Sequence, residues 1–319
     1  MKFLKLLIVI AALCLMSVSC VSAFGSAVIF PAITSSSTNS AAQDTRITLT
    51  NLADESTYVR LTLISSTDDC TREINTDVQL AGHGTYTANA SDLFPDQEGY
   101  LIAVAVGKNG IPIMFNNLIG EYHIRKIISP IPIISDMSNA LSVAMLAPTP
   151  ANEKGQLLFD GNNYELLPDT LATHLASEDN NYLYLMPSED PLSENLLPSA
   201  SLGQLYSNGG KDEYFLKKYD DSENYVSASS ESVCGFHASA SELAIVIPTS
   251  IFSQPGRVGW MTIDRNLDTT LGLTAGASLV GLNIASETDG SLMHMLYGDA
   301  RDVSKKLTIS NKPVETPVM

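Results

Sequence analysis

Two short runs of the sequence concentrate the side chains that bind calcium. Asp160 and Asn162 lie in an Asp-Gly-Asn-Asn run, and Asp220, Asp221 and Glu223 lie in an Asp-Asp-Ser-Glu-Asn run. Calcium takes about six to eight oxygen ligands, which carboxylates and amides supply. These five residues are therefore the candidate calcium ligands, although neither run has the pattern of an EF-hand loop. Acidic runs are more often solvated turns, so we expect no cofactor, with calcium as the alternative.

The residue types used in nucleophilic or metal-assisted catalysis do not fall into a recognisable arrangement. The nearest approach to a serine-hydrolase elbow, at residues 276–281, misses the Gly-x-Ser-x-Gly spacing. Cys234 and His237 are three residues apart, so on a strand they face opposite sides. The five histidines are scattered. We predict no catalytic residues. The enzyme alternative is a glycoside hydrolase that uses two carboxylates from distant strands.

The cysteines separate into two groups. Cys14 and Cys20 lie in an apolar leader, whereas Cys70 and Cys234 lie in the body of the chain. In an oxidising compartment the latter two are the candidate disulfide. A bridge requires their Cα atoms to lie within about 7 Å of each other. The alternative is a pair of isolated, half-buried thiols.

The first 23 residues have the order of a bacterial-type secretory signal. Lys2 and Lys5 precede an apolar run over residues 6–16, and the small residues at 21–23 form a cleavage site before Phe24. The apolar run is shorter than the roughly 20 residues that a membrane-spanning helix needs. We therefore expect an exported protein without a transmembrane segment, located in the periplasm, on the outer surface or outside the cell.

A second cleavage site competes with the first. Residues 17–20 form a permissive lipobox, Ser-Val-Ser-Cys, in which Cys20 would be lipidated and become the first residue. A lipid would tie the protein to a membrane without a spanning helix. We favour the soluble form and keep the lipoprotein as the alternative.

Composition limits the partners and the architecture. The 319-residue chain carries a net charge of -17, and this repels nucleic acid and anionic lipid. Disorder is not expected, because 45% of the residues are hydrophobic. Removal of the signal leaves about 296 residues, a length that favours two domains.

Most of the chain alternates with the period of antiparallel strands. Residues 45–50 and 58–63, which flank a polar turn, predict a hairpin with one buried face. Residues 100–106 are typical of a central strand, and the Asn-Gly turn at 108–110 predicts a return strand over 111–119. Further strands are predicted over residues 73–80, 85–87, 156–159, 181–186, 225–229, 243–247, 258–263, 277–284 and 292–296, with a turn at 287–290 and an irregular segment at 187–223.

Residues 135–146 break the alternation. Asp136 is placed to cap a short helix that carries Met137, Leu141 and Met145. This predicts the main exception to an all-β chain.

The domain boundary is predicted at residues 147–155. This segment contains two prolines and small polar residues, which continue neither a helix nor a strand. We therefore expect one sandwich over residues 24–146 and a second over residues 156–319. The fold class is all-β, with two antiparallel, Ig-like β-sandwich domains in tandem and little helix.

Two stretches resemble segments of uncharacterised secreted bacterial proteins built from β-sandwich modules. They are Phe-Asn-Asn-Leu-Ile-Gly at residues 115–120 and Gly-Arg-Val-Gly-Trp-Met at residues 256–261. The resemblance implies a sandwich fold and a location outside the cytoplasm. It carries no known activity, so no functional residue is transferred.

These observations favour a non-catalytic role at the cell envelope. We expect a structural, adhesive or partner-binding protein that contacts a protein or glycan. A carbohydrate-active enzyme and a calcium-binding or small-ligand-binding periplasmic module are the alternatives.

Overall fold

A computed structural model describes most of the first half of the chain and the strands of the second half. The described residues are 24–35, 41–65, 73–128, 131–167, 170–175, 181–185, 211–219, 225–233, 236–239, 259–265, 281–287, 290–295, 297–299 and 305–314. Side chains are described for residues 24–35, 44–65, 74–125, 138–167 and 309–314.

The described residues form antiparallel strands and two single-turn helices. The strands of the first half are β1 (Ala27–Thr34), β2 (Ala41–Asn51), β3 (Thr57–Ser65), β4 (Glu73–Leu80), β5 (Thr85–Asn89), β6 (Glu98–Val106), β7 (Leu118–Ile128), β8 (Ile131–Asn139), β9 (Leu141–Val143) and β10 (Gln156–Phe159). Those of the second half are β11 (Thr170–Leu175), β12 (Asn181–Leu185), β13 (Lys211–Tyr219), β14 (Tyr225–Val233), β15 (Phe236–Ser239), β16 (Gly259–Arg265), β17 (Gly281–Glu287), β18 (Gly290–Met295), β19 (Tyr297–Asp299) and β20 (Lys305–Thr308). The helices are α1 (Ala90–Leu93) and α2 (Pro150–Glu153). The predicted all-β fold class is confirmed.

The first half is a sandwich of two sheets. One sheet has the order β4-β3-β6-β1-β9, which we call the central sheet, and the other has the order β5-β2-β7-β8, which we call the front sheet. Alternate residues of both sheets point into one hydrophobic core. Phe30 of the central sheet meets Tyr122 of the front sheet edge to face, with the ring centroids 5.8 Å apart.

The inner strands of the central sheet, β1, β3 and β6, are buried on both faces. All residues of β1 are buried, and so is β6 from Tyr100 onward. The residues that point away from the front sheet, such as Ile29 and Ile102, form a second core with Phe159, Tyr164 and other side chains. This second core also contains Ile309, near the C-terminal end of the described chain.

The second half contains two further antiparallel sheets. Their strand orders are β14-β13-β16-β11-β19 and β15-β12-β17-β18. A separate two-stranded ribbon pairs β10 with β20, with Phe159 opposite Lys305. The predicted linker, residues 147–155, contains α2 and runs directly into β10. The assignment of two domains stays a prediction.

Several local predictions are wrong, mainly because strands that follow one another in the sequence are not paired with one another in the sheets. β2 and β3 do not form a hairpin: β2 pairs with β5 and β7, whereas β3 pairs with β4 and β6. The Asn-Gly turn at 108–110 is present. The return strand expected over residues 111–119 is not formed, because β7 starts only at Leu118 and belongs to the front sheet. Residues 135–146 form parts of β8 and β9 instead of a helix. The segment at 187–223, which was expected to be irregular, contains β13.

The strands expected at residues 73–80, 100–106 and 156–159 are confirmed.

A buried ion pair stabilises the face of the central sheet that points away from the front sheet. Arg60 of β3 and Asp77 of β4 are cross-strand partners, and their side chains are 3% and 9% exposed. The guanidinium donates two hydrogen bonds of 2.8 Å to the carboxylate. It donates a third, of 2.6 Å, to the carbonyl oxygen of Ser310. Arg60 therefore links two strands of the first half to the C-terminal segment.

We predict that Arg60→Leu lowers the free energy of unfolding by about 3 kcal/mol, because it leaves the Asp77 carboxylate buried without its cation. Denaturant titration measures the change. The double variant Arg60→Leu, Asp77→Leu should lose less than Arg60→Leu alone, because no uncompensated charge remains. Equal losses for the single and double variants would contradict this account.

Candidate functional site

The strand registers bring several connecting segments of the first half to one end of the sandwich. β1, β3 and β7 begin at this end, and β2, β6 and β9 finish there. The loop end, as we call it, therefore comprises residues 24–26, 51–57, 107–117 and 144–149. Binding residues of sandwich proteins are commonly carried by such loops, because a rigid scaffold positions them.

The loop end carries the large hydrophobic side chains that the described part of the chain leaves exposed. Phe24 is 44% exposed, Leu52 41%, Met114 54% and Leu146 47%. Single exposed apolar residues scattered over a surface are ordinary. Four of them at one end of the sandwich are a concentration that calls for an explanation.

Backbone hydrogen bonds place Phe24 and Leu52 beside one segment, residues 114–118. The amides of Gly25 and Leu118 each donate to the carbonyl oxygen of the other, at 2.9 Å, which places Phe24 beside the segment. The Leu52 amide donates to the Asn117 carbonyl oxygen at 2.8 Å. Met114 lies within the segment itself, so Phe24, Leu52 and Met114 lie on neighbouring stretches of backbone.

Asn116 is the polar centre of this arrangement. Its Oδ1 accepts hydrogen bonds from the Ser26 hydroxyl at 2.7 Å and from the Met145 amide at 2.8 Å. Its Nδ2 donates to the Met145 carbonyl oxygen at 2.9 Å. The Ser26 hydroxyl oxygen also accepts from the Phe115 amide. Asn116 therefore joins β1, the 114–118 segment and the residues that lead to Leu146.

Two glycines allow the close backbone approaches at the loop end. A Cβ at Gly25 would collide with the backbone of Val143, which lies beside it in the sheet. Gly110 has φ of +79°, and a Cβ there would collide with the carbonyl oxygen of Lys312. Its amide closes the turn by donating to Gly107 at 2.8 Å. Larger residues at either position would move the loops that carry the apolar side chains.

The loop end and the adjoining segments also carry exposed charged residues. Asp54 accepts a hydrogen bond of 2.7 Å from His83 and is 95% exposed. Glu55, Lys108 and Lys154 are also exposed. Exposed apolar side chains together with charged ones are the usual composition of a protein-binding surface.

The solvent-facing side of the front sheet differs from the loop end in being polar. Thr48 and Thr50 face Thr87 and Thr85 across the β2–β5 pair, with hydroxyl separations of 3.4 and 3.0 Å. On the same side, partial burial lowers the pKa of His123, and the charges of Arg125 and Arg46 lower it further.

Of the two candidate calcium loops, the one at Asp160 is described, and it is a self-contained turn. Asp160 accepts hydrogen bonds from the amides of Asn162 and Asn163 at 2.9 and 2.7 Å, and from the Asn163 side chain at 2.7 Å. Partial burial acts to raise the pKa of Asp160, but these hydrogen bonds outweigh it, so the pKa is lowered. The neighbouring Glu165 carboxylate accepts from the Ala144 amide. In the described residues, no three His, Cys, Asp or Glu side chains gather as a metal site would require.

Other predicted site residues lie outside the described part of the chain. These are the calcium candidates Asp220, Asp221 and Glu223, the disulfide candidates Cys70 and Cys234, and the lipidation candidate Cys20. Among the residues that are described, no helix has the length and apolarity needed to cross a membrane.

Sequence reasoning missed the loop end. Leu52 lies in a run read as a polar turn, and Met114 lies in a stretch expected to be a strand. A large apolar residue isolated within a turn was the available signal. The strand registers were needed to show that these residues meet.

Comparison with known proteins yields only weak likenesses. No protein-family profile matches the chain, and no curated protein matches it. A Thermotoga maritima protein, Thermotoga maritima 1070, is 9% identical with a TM-score of 0.29, over 37% of this chain and 95% of that one. The BSP domain of a biofilm associated protein is 12% identical with a TM-score of 0.20, over 90% of this chain and 59% of that one. Scores this low carry no argument about function, and the resemblance to secreted β-sandwich proteins stays an expectation.

We predict that Asn116→Ala lowers the free energy of unfolding by about 2 kcal/mol, because it removes three hydrogen bonds from a partly buried junction. Amide exchange at Met145 should accelerate more than exchange in β6. The matched control is Asn117→Ala, whose side chain is half-buried and makes no such junction, and we expect a change within about 0.5 kcal/mol. Similar losses for both variants would argue against a special role for Asn116.

Proposed function

We propose that this chain is an exported protein of the cell envelope or the extracellular space that binds a protein or glycan partner in a structural or adhesive role. The observation that carries the proposal is the loop end, whose loops leave Phe24, Leu52, Met114 and Leu146 each 41–54% exposed. The partner covers this surface, and the charged residues around it contribute to orientation.

The apolar side chains supply the free energy of binding. Complete burial of a Leu, Met or Phe side chain contributes about 1.5–3 kcal/mol, so covering a half-exposed one contributes about 1 kcal/mol. The loops that carry them are held by Asn116 and by the Gly25–Leu118 backbone pair. Little conformational entropy is therefore lost when the partner docks.

The position of the loop end also fits a binding role. Connecting segments of a sandwich can vary without disturbing the core, and recognition sites are therefore often built there. A glycan partner would stack on Phe24 and hydrogen-bond to the polar rim, whereas a protein partner would cover all four apolar side chains.

We predict that Met114→Ser and Leu146→Ser each weaken partner binding about five-fold, and together about thirty-fold, because each loses about 1 kcal/mol of burial. A photo-crosslinking side chain placed at residue 114 in the native cell envelope first captures the partner. The dissociation constants of the variants are then measured with the purified partner.

The control lies at the opposite end of the same sandwich. Pro95 follows α1 there and is exposed, so Pro95→Ser should leave binding unchanged, and a crosslinker at residue 95 should capture nothing. Equal crosslinking from both ends would refute the proposed surface. Unchanged affinity in the double variant would do the same.

Export is tested separately by the intact mass of the N-terminus from fractionated native cells. We expect a chain that begins at Phe24, in the periplasmic or extracellular fraction. A lipid-modified Cys20 would select the membrane-anchored form of the proposal. A cytoplasmic chain that retains residues 1–23 would overturn export altogether.

A further inference from the structure

The C-terminal segment, residues 305–314, lies on the first half of the chain as a peptide lies on its receptor. Residues 305–308 form β20 and pair with β10 in an antiparallel register. Beyond the ribbon, the Ile309 amide donates to the Gly155 carbonyl oxygen at 2.9 Å, and the Val314 amide donates to the Lys108 carbonyl oxygen at 3.1 Å. Main-chain pairing of this kind supplies affinity that is largely independent of side chains.

Side chains add specificity to this contact. Ile309 is 2% exposed and belongs to the second core, and Val314 packs against that core. Arg60 donates a hydrogen bond of 2.6 Å to the Ser310 carbonyl oxygen. The Asn311 side chain donates to the Glu153 carbonyl oxygen at 2.9 Å. These described contacts of residues 309–314 fall on the first half of the chain, so the segment needs none of the strands β11–β19 to be recognised.

Charge also distinguishes the segment. Residues 305–314 contain Lys305, Lys306 and Lys312 and no acidic residue, whereas the whole chain carries a net charge of -17. A basic peptide is attracted to such a chain over distances of about a Debye length, roughly 8–10 Å at physiological salt. The attraction acts equally on the segment of the same chain and on that of another copy.

We propose that β10, Arg60 and the 107–110 turn form an acceptor groove, and that the C-terminal segment of a second copy occupies it by strand exchange. The backbone ladder, the Ile309 contact and the Arg60 hydrogen bond are the same whether the segment comes from its own chain or from a neighbour. The exchange joins copies head to tail or as closed pairs. The acceptor groove shares the 107–110 turn with the loop end, but the proposal does not rest on the loop-end partner.

Strand exchange is governed by concentration. Within one chain the segment is present at a high effective concentration, so a single copy closes on itself in dilute solution. When copies are crowded on a surface or in a matrix, the local concentration of neighbouring segments rises and exchange competes. The closed and exchanged forms differ little in free energy, because they contain the same contacts.

Two variants, each with one added cysteine, test the exchange. Gln156 and Thr308 are register partners in the β10–β20 ribbon. One copy carries Gln156→Cys and the other carries Thr308→Cys. The purified full-length proteins are mixed at a series of concentrations, oxidised mildly and digested, and the 156–308 linkage is identified by mass. We expect a linked heterodimer whose yield rises with protein concentration.

The controls separate strand exchange from chance collision. Both cysteines in one chain should link within that chain, which verifies the register. Lys306→Cys in place of Thr308→Cys lies two positions out of register, and we expect at least a ten-fold lower yield. Ile309→Asp in the donor copy, which would bury a carboxylate, and Arg60→Leu in the acceptor copy should each lower the yield several-fold.

The outcomes are decisive in either direction. An in-register linkage between copies that rises with concentration supports the proposal. If the disulfide forms within the double variant but not between mixed copies, the segment stays on its own chain and the proposal is overturned. Equal yields for the in-register and out-of-register pairs would mean random collision and overturn it as well.

Discussion

The burial of the inner strands of the central sheet, β1, β3 and β6, on both faces is the constraint on which the first half of this protein depends. β1 and most of β6 contain no position that faces water. A sheet of this kind needs a complete layer against each face, because exposing either face would leave large apolar surfaces in water. The front sheet supplies one layer. Among the residues whose side chains the structure describes, the other layer comes from residues 143–167 and from Ile309 and Val314.

This requirement explains why distant parts of the chain meet. Ile309 lies in the same core as Ala27, although almost the whole chain separates them. Arg60 projects from the central sheet toward that side, where burial of its charge demands a partner, and Asp77 and the Ser310 carbonyl satisfy it. The ion pair thus specifies where the C-terminal segment lies, whereas the apolar contacts contribute most of the stabilisation.

The sequence predicted strands better than it predicted their partners. Alternation with period two identifies a strand with one buried face, and it did so for residues 45–50, whose outward positions carry Arg46 and Thr48. It says nothing about which strand lies alongside. Because β2 and β3 are close in sequence, a hairpin was the natural expectation. In the sandwich the chain crosses between sheets after Asn51, whose side chain donates to the carbonyls of Glu55 and Ala81.

The helix expected at residues 135–146 failed for a related reason. Met137, Leu141 and Met145 have helical spacing. However, the strands formed there are paired with strands elsewhere in the chain: β8 pairs with β7, and β9 pairs with β1. Pairing with an existing sheet satisfies the backbone and buries Val143 and Met145, which outweighs a modest helix propensity. The candidate site escaped prediction because its members are ordinary apolar residues that become neighbours only after folding.

The loop end shows how buried polar groups and exposed apolar groups depend on each other. A loop that only connected strands could turn Met114 inward, because burial of a methionine is favourable. The bonds of Asn116 to Ser26 and Met145 tie the middle of the 114–118 segment to the neighbouring loops, and Met114 in the same segment is 54% exposed. Exposed apolar side chains contribute little to the stability of the isolated chain. Under the proposed function, burial by a partner would make their exposure favourable.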